Sequence, residues 1–472
     1  MSSVFFNEGE NKKRPGVYQR HTNSGFDAPT GAQDGICAIP VQAAWGPLGK
    51  VVKNTYANEL TKNYGTGTYG TGYTVPAAAA MFTGGASTVY TYRLGTGGKK
   101  ASKELTSGLT VTAKHPGTMP ISVAVQEKLG DSTKKQLLVY TGTTLVETWV
   151  FDADGKAEGT NLIAAAVESK YLDVSGTAAT VAAMAVASGA LTGGENPTVT
   201  NEDYSKAFAA LEPYYYNTIA LDVEDDENMT LSLMLQAYLK NAYKLGKMCL
   251  AVVGEKTTVS YDVRCGHALD FDDAMAVYLG GGWMAGPESK DGVMAICQTA
   301  GVIASTPSNQ GITHAVIAGA TDMCESLTYA QYEQAIDSGM LMVSMAPDGS
   351  IWYDSGITSL TSPETGTQDD GWKKIRRVKV RFEMIDRLDR ALAPKVGRVS
   401  ADSDGIADII QTGQRVLDQM VNEGKLMLGA SFNVDGGNPY SGDSAWFIIQ
   451  SDDIDSLEKI FLQYQFRYSQ NS

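Results

Sequence analysis

Thr218-Ile-Ala-Leu-Asp-Val223, the amphipathic run 229–245 and Met248-Cys-Leu-Ala-Val-Val253 read in succession as strand, helix and strand, which is a βαβ unit. Asp225, Asp226 and Glu227 precede the helix, and Lys240, Lys244 and Lys247 lie near its end, as the helix dipole prefers. The acidic cluster therefore reads as a cap; a metal site would need further ligands at a defined spacing, and none follow.

Upstream, Gly35-Ile-Cys-Ala-Ile-Pro-Val41 reads as a buried strand, Trp45-Gly46-Pro47 as a turn, 58–63 as helical and Val89-Tyr-Thr-Tyr-Arg-Leu94 as another strand. Downstream, 313–319 reads as a strand. Thr328-Tyr-Ala-Gln331 is a capping box opening a helix that stops near Gly339, and 340–345 forms a hairpin with 350–353 around Pro347-Asp-Gly349. The polar stretch 361–371 marks a boundary. Beyond it Ile406, Ile409, Ile410, Leu417, Met420 and Val421 share one helical face, with Asp402 before them and Gly424 after. Leu462, Tyr464, Phe466 and Tyr468 alternate with polar residues, the period of a strand.

Two seams of linker chemistry, Gly95-Thr-Gly-Gly-Lys-Lys100 and Leu191-Thr-Gly-Gly-Glu-Asn-Pro197, bracket short β-rich runs at 109–113, 121–125, 136–140 and 145–151. The expected organisation is α/β and multidomain: an α/β core carrying an inserted β-rich domain, an α+β C-terminal domain, and extended arms at both ends. The boundaries are an N-terminal arm at 1–20, a discontinuous central domain at 21–97 and 194–355, an insert at 98–193, a C-terminal domain at 356–455 and an arm strand at 456–472.

A chain of 472 residues is long enough for several such units, and 43% hydrophobic with 19% charged residues is a globular composition. A net charge of −15 opposes binding to phosphate backbones, so no nucleic-acid partner is expected. Five cysteines, Cys37, Cys249, Cys265, Cys297 and Cys324, are odd in number and widely spaced; neither a disulfide framework nor a zinc site follows, and a reducing compartment fits. The N-terminus lacks the charged start and apolar run of a secretory signal, and the uncharged stretch 174–194 is too rich in Ala, Gly, Ser and Thr to span a membrane.

No catalytic, cofactor or metal residue emerges. Gly65-Thr-Gly67-Thr-Tyr-Gly70 has the dinucleotide spacing, but a helical segment precedes it where a strand is required, and no acid lies near Tyr90. His314 with Ser305 or Ser308 is the starting point for a serine-hydrolase alternative, yet no G-x-S-x-G elbow is present. The stretch 373–398 holds ten basic residues against three acidic ones, in a chain that is otherwise acidic. Ile375, Val378, Phe382, Ile385 and Leu392 fall near helical spacing there, so a basic amphipathic helix is expected, with Lys373, Lys374, Arg376, Arg377, Lys379 and Arg381 as a candidate docking face for an acidic patch on a partner.

Several segments occur in an order that resembles one family. They are Arg14-Pro-Gly-Val-Tyr18, Trp45-Gly46-Pro47, Tyr64-Gly65, Gly84-Gly85 before Tyr92-Arg93, His115-Pro-Gly-Thr118, Leu191-Thr-Gly-Gly194, 301–314, Leu327-Thr-Tyr-Ala-Gln331, Thr358-Ser-Leu-Thr361 and 373–399. Together they are similar to contractile tail-sheath proteins, of phages of Gram-positive bacteria or of phage-tail-like bacteriocins, almost end to end. The resemblance implies a non-enzymatic structural subunit that polymerises helically in stacked rings around a tail tube protein, meets baseplate and terminator proteins, and contracts to drive the tube through a bacterial envelope. It implies assembly in the bacterial cytoplasm into a virion tail or related particle, without cofactor or membrane insertion. Under it, Val4, Phe5, Phe6, Val17 and Tyr18, and Leu462, Tyr464, Phe466 and Tyr468, are inter-subunit arm strands that add to neighbouring sheets, and the basic face of 373–381 docks the tube or a neighbouring subunit. A non-contractile self-assembling shell is the other structural reading.

Overall fold

The computed structural model describes residues 4–5, 18–19, 34–70, 72–106, 108–177, 181–438 and 442–466. At its centre is a seven-stranded sheet in the order Met340–Leu341, Ala276–Leu279, Leu250–Gly254, Thr218–Ala220, Ile36–Val41, Thr88–Arg93 and Val51–Asn54. All neighbours are parallel except Val51–Asn54, which runs antiparallel to Thr88–Arg93 at one edge. Parallel strands need helical crossovers, and these cover both faces of the sheet. Strand Ile36–Val41 shows the result: Cys37, Ile39 and Val41 enter one core with helices Val75–Thr83 and Val293–Ser305. Ile36 and Ala38 enter the other, with Asn201–Leu211, Thr230–Lys244 and Tyr261–Phe271.

Helices Val75–Thr83 and Val293–Ser305 approach so closely that two glycines are required. A Cβ on Gly84 would lie 2.0 Å from the Gln298 carbonyl oxygen, and one on Gly301 would lie 2.1 Å from that of Met81. Asp225 and Asp226 cap Thr230–Lys244 as expected: Asp226 Oδ1 accepts from Thr230 N at 3.0 Å, and Asp225 Oδ2 accepts from Ser232 N at 2.7 Å. Thr328 and Gln331 form the capping box of Tyr329–Asp337.

Residues 98–193 contain two antiparallel sheets. One orders Thr144–Asp152, Asp131–Thr141, Ile121–Lys128 and Ala187–Ala190; the other orders Leu172–Gly176, Leu109–Ala113 and Ser102–Thr106. Their alternating apolar residues, among them Leu109, Val111, Ile121, Val123, Leu137 and Val139, share a core with Leu162 of helix Glu158–Ala165. Trp45 joins this core from the central region, stacking on Tyr171 at 5.9 Å and meeting His115 edge-on at 4.9 Å. Buried Arg93 fixes the same turn, donating to the Ala43 carbonyl at 2.8 Å and to that of Gly46 at 2.8 Å.

The C-terminal region is built on helices Ile375–Leu392 and Ser403–Asn422 and the hairpin Ser431–Val434 with Phe447–Gln450. Val380, Leu388, Val416, Leu417, Met420 and Phe432 form its core. Val4–Phe5 pairs in parallel with Tyr18–Gln19. Among the described residues, no helix is long and apolar enough to cross a membrane.

Two expectations are corrected. The stretch 313–319 is not a strand: His314 has φ +58°, a left-handed conformation, and the segment turns, touching the hairpin through an isolated bridge from Val316 to Trp352. The run 340–345 divides its pairing, since Met340–Leu341 completes the central sheet and only Val343–Met345 pairs with Ile351–Tyr353.

The glycine contacts predict opposite outcomes at two helical positions. Gly301→Ala should destabilise by about 2 to 3 kcal/mol, because backbone must move. Gly266→Ala, where an added Cβ meets nothing within 4 Å, should stabilise by up to about 1 kcal/mol. Urea midpoints at unchanged m-value measure both.

Candidate assembly surface

Helix Ile375–Leu392 carries the basic residues expected to dock a partner, and the structure gives those residues partners within the chain. Arg377 holds Asp453 through two bonds, Nε to Oδ2 at 2.6 Å and Nη2 to Oδ1 at 2.8 Å. Arg381 holds Asp369 through bonds of 2.8 and 3.0 Å and reaches Asp453 at 3.2 Å, with its guanidinium 5.0 Å from the Trp372 ring centre. Arg376 donates to Ser456 Oγ at 3.0 Å, and Lys374 pairs with Glu458, whose other oxygen accepts from Thr313 Oγ1 at 2.9 Å. Lys373 pairs with exposed Asp370 at 3.0 Å.

Lys379 is buried, and its ammonium donates to the carbonyls of Ile303 and Thr306, closing the C-terminal end of helix Val293–Ser305. Burial lowers its pKa to about 8. Lys379 therefore acts as a helix cap. Within the chain the six basic residues of the expected docking face engage Asp369, Asp370, Asp453, Ser456, Glu458 and two helix carbonyls.

One turn along the helix lies a buried charge network. Glu383 accepts from Lys425 at 2.7 Å and from Ser308 Oγ, and pairs with Arg387 at 2.5 Å. Arg387 also holds Glu423 through bonds of 2.9 and 2.7 Å, and Lys425 lies 2.7 Å from Glu423. Burial works to raise the Glu423 pKa, but hydrogen bonds from Arg387 and Lys425 outweigh it and hold the group at about 2. The network ties Ile375–Leu392 to the residues that follow Ser403–Asn422.

Of the arm residues, Phe6, Val17 and Tyr468 lie outside the described residues, and for Val4, Phe5 and Tyr18 the backbone pairing given above is what is described. Leu462, Tyr464 and Phe466 lie on a segment that joins no ladder among the described residues. Phe461 and Phe466 are 91% and 94% exposed, so the segment presents an apolar run to solvent.

The chemical alternatives find no geometry. The natural ligand crevice of an open α/β sheet lies where strand order reverses, here between the carboxyl ends of Ile36–Val41 and Thr218–Ala220. It is filled by the chain itself: buried Asp222 accepts from Thr74 Oγ1 and, at 2.8 Å, from Tyr204 OH, while Tyr69 OH donates to the Asp222 carbonyl at 3.1 Å. Desolvation raises Asp222 to about 6. Tyr69, inside the glycine motif 65–70, belongs to this plug. His314 stacks on Trp352 at 3.9 Å, Ser308 binds Glu383, and Ser305 donates to the Gly84 carbonyl at 3.2 Å, so no serine meets the histidine. Among the described residues, no group of three or more His, Cys, Asp or Glu side chains is placed to hold a metal ion.

Residues 198–354 match the family described as the phage tail sheath protein central domain. That match spans about a third of the chain. The resemblance drawn from the ordered motifs is thereby borne out. Two proteins of Bacillus subtilis (strain 168) are similar over most of their length: YqbK is 25% identical over 372 residues, 77% of this chain and 76% of YqbK. The phage-like element PBSX protein XkdK is 23% identical over 405 residues, 83% of this chain and 82% of its own. The sheath fold extends beyond the matched domain. The sheath tail protein of Listeria innocua superposes with a TM-score of 0.70 at 19% identity, over 89% of this chain and 95% of that one. The helical sheath of the anti-feeding prophage in its contracted state superposes with a TM-score of 0.51 at 13% identity, over 96% and 99%.

The charge network predicts a pH dependence with a fixed sign. Because Glu423 sits below its ordinary value of 4.5, its stabilisation is present above that value and is lost as pH falls through about 2. Glu423→Gln should lower stability at pH 7 by about 2 kcal/mol and flatten the acid limb of the stability curve. Denaturation midpoints between pH 7 and pH 2 give the comparison.

Proposed function

We propose that this chain is a structural subunit of a contractile tail sheath, polymerising helically around a tail tube and contracting to drive the tube through a bacterial envelope. The observation that carries this is the exposed apolar arm 459–466 leaving a chain with a sheath central domain. An extended segment with Ile460, Phe461, Leu462, Tyr464 and Phe466 exposed supplies both main-chain bonds and side-chain anchors to a foreign sheet.

The sheet that receives such a strand is the hairpin Ser431–Val434 with Phe447–Gln450. It has two strands, and its outer edges pair with no further strand among the described residues. Two-stranded sheets are marginal by themselves, and Trp446, Ile448 and Ile449 stand partly exposed on this one. A donated strand from a neighbour completes it, and because the donor and acceptor sites differ, the contact is head-to-tail and generates a helix. The N-terminal residues Val4, Phe5, Phe6, Val17 and Tyr18 form the second arm.

Within this reading, 21–97 and 194–355 form the central domain, 98–193 an outward insert and 356–455 the inner domain facing the tube, flanked by arms at 1–20 and 456–472. The partners are further copies of the chain, the tube protein, and the baseplate and terminator proteins. The site of action is a virion tail or phage-tail-like particle assembled in the bacterial cytoplasm. Contraction switches rigid bodies between two packings and calls for no active site, which agrees with the plugged crevice.

Negative-stain microscopy of the purified chain, alone and with its tube protein, tests the assignment. Hollow striated tubes of two diameters are expected; a single diameter under all conditions would leave a static shell. Removal of 463–472 should give a soluble, folded monomer, and normal tubes from that truncation would overturn the arm mechanism.

A further inference from the structure

The acidic segment that leads into the C-terminal arm does not hang free. Residues 452–454 are tied by backbone bonds to 425–427: Met427 N donates to the Asp452 carbonyl at 2.8 Å, and Ile454 N to that of Lys425 at 3.0 Å. From there the segment runs along the basic helix, and three of its residues are gripped. Asp453 is held by Arg377 and Arg381, Ser456 by Arg376, and Glu458 by Lys374 together with Thr313. The last contact comes from a turn in the central region, so Glu458 bridges two parts of the molecule. Among the described residues, Lys459 to Phe466 form no hydrogen bond or ion pair, and every one of them is exposed.

We infer that Asp453 and Glu458 are positioning residues that clasp the root of the arm to the basic helix, so that the arm pivots between Glu458 and Lys459 and leaves the subunit in a fixed direction. The clasp has two unequal halves. The Arg377–Asp453 pair is bidentate with Asp453 nearly buried, whereas the Lys374–Glu458 pair is roughly a quarter exposed on both sides. Salt screens exposed pairs more than buried ones, so the Glu458 half opens first as ionic strength rises. With it open, the pivot retreats toward Asp453 and the free arm lengthens by the residues between. The clasp stands on contacts within one chain; its consequence for assembly rests on the sheath reading.

Chymotryptic cleavage after exposed Leu457, read by mass spectrometry against cleavage after Phe461 beyond the pivot, separates the two. Lys374→Glu should raise cleavage after Leu457 by about fivefold, the scale of one partly exposed ion pair, and leave cleavage after Phe461 at its already fast rate. Lys374→Glu combined with Glu458→Lys should restore the slow rate, and 0.5 M salt should mimic the single variant. An unchanged rate after Leu457 in both the single variant and high salt would overturn the clasp. Glu458→Gln removes the charge without repulsion and should give the same gain in a folded protein; the slow rate kept there would equally overturn it. If cleavage follows the clasp while the full-length chain forms no tubes, the sheath reading fails and the clasp stands.

Discussion

Helix Ile375–Leu392 has to serve two cores at once. Ile375, Val378 and Phe382 pack into the core beneath the central sheet, while Val380 and Leu388 pack against Ser403–Asn422. A helix with apolar residues on two sides keeps few positions for charge, and here the charges fill the seams between: Lys379 caps a neighbouring helix, Glu383 and Arg387 form the buried network, and Arg377 and Arg381 face the returning chain. Central and C-terminal regions are thereby joined by a shared element and not by a flexible linker. Any force applied to the C-terminal hairpin reaches the central sheet through packed side chains.

Much of the architecture was legible in local pattern. Strands such as Ile36–Val41 and Leu109–Ala113 and helices such as Thr230–Lys244 and Ser403–Asn422 declare themselves by period, capping and turn residues, because each signal lies within a few residues of what it specifies. The failures have equally local causes. Residues 313–319 have the β-branched and apolar content of a strand, and only the left-handed conformation of His314 breaks them; histidine is not a residue whose presence announces that. Met340–Leu341 and Val343–Met345 form one apolar run, and nothing within it marks where one sheet ends and the next begins.

The candidate surface was half legible for a different reason. The excess of positive charge on 373–398 was plain, but its partners Asp453 and Glu458 lie about eighty residues further on, in a segment whose alternating apolar residues drew attention to the arm and away from its root. Two complementary runs of charge in one chain are a sequence-level hint of self-pairing, and it was available in Asp452, Asp453, Asp455 and Glu458. Leu462, Tyr464 and Phe466 stand exposed, and among the described residues their period-two apolar run has no partner strand.

The β-rich unit enters and leaves the central region through adjacent strands. Thr96 bonds Thr198, Lys99 bonds Glu195 and Ser102 bonds Thr192, so the two connections run side by side as a short stalk. The central strand Thr88–Arg93 ends immediately before that stalk, and helix Asn201–Leu211 begins immediately after it. Closing a loop between points already held together has an entropy that grows only with the logarithm of its length. A sequence at this position can therefore be lengthened, exchanged or lost over generations at small thermodynamic penalty to the rest of the chain, which leaves this unit free to diversify while the central sheet stays fixed.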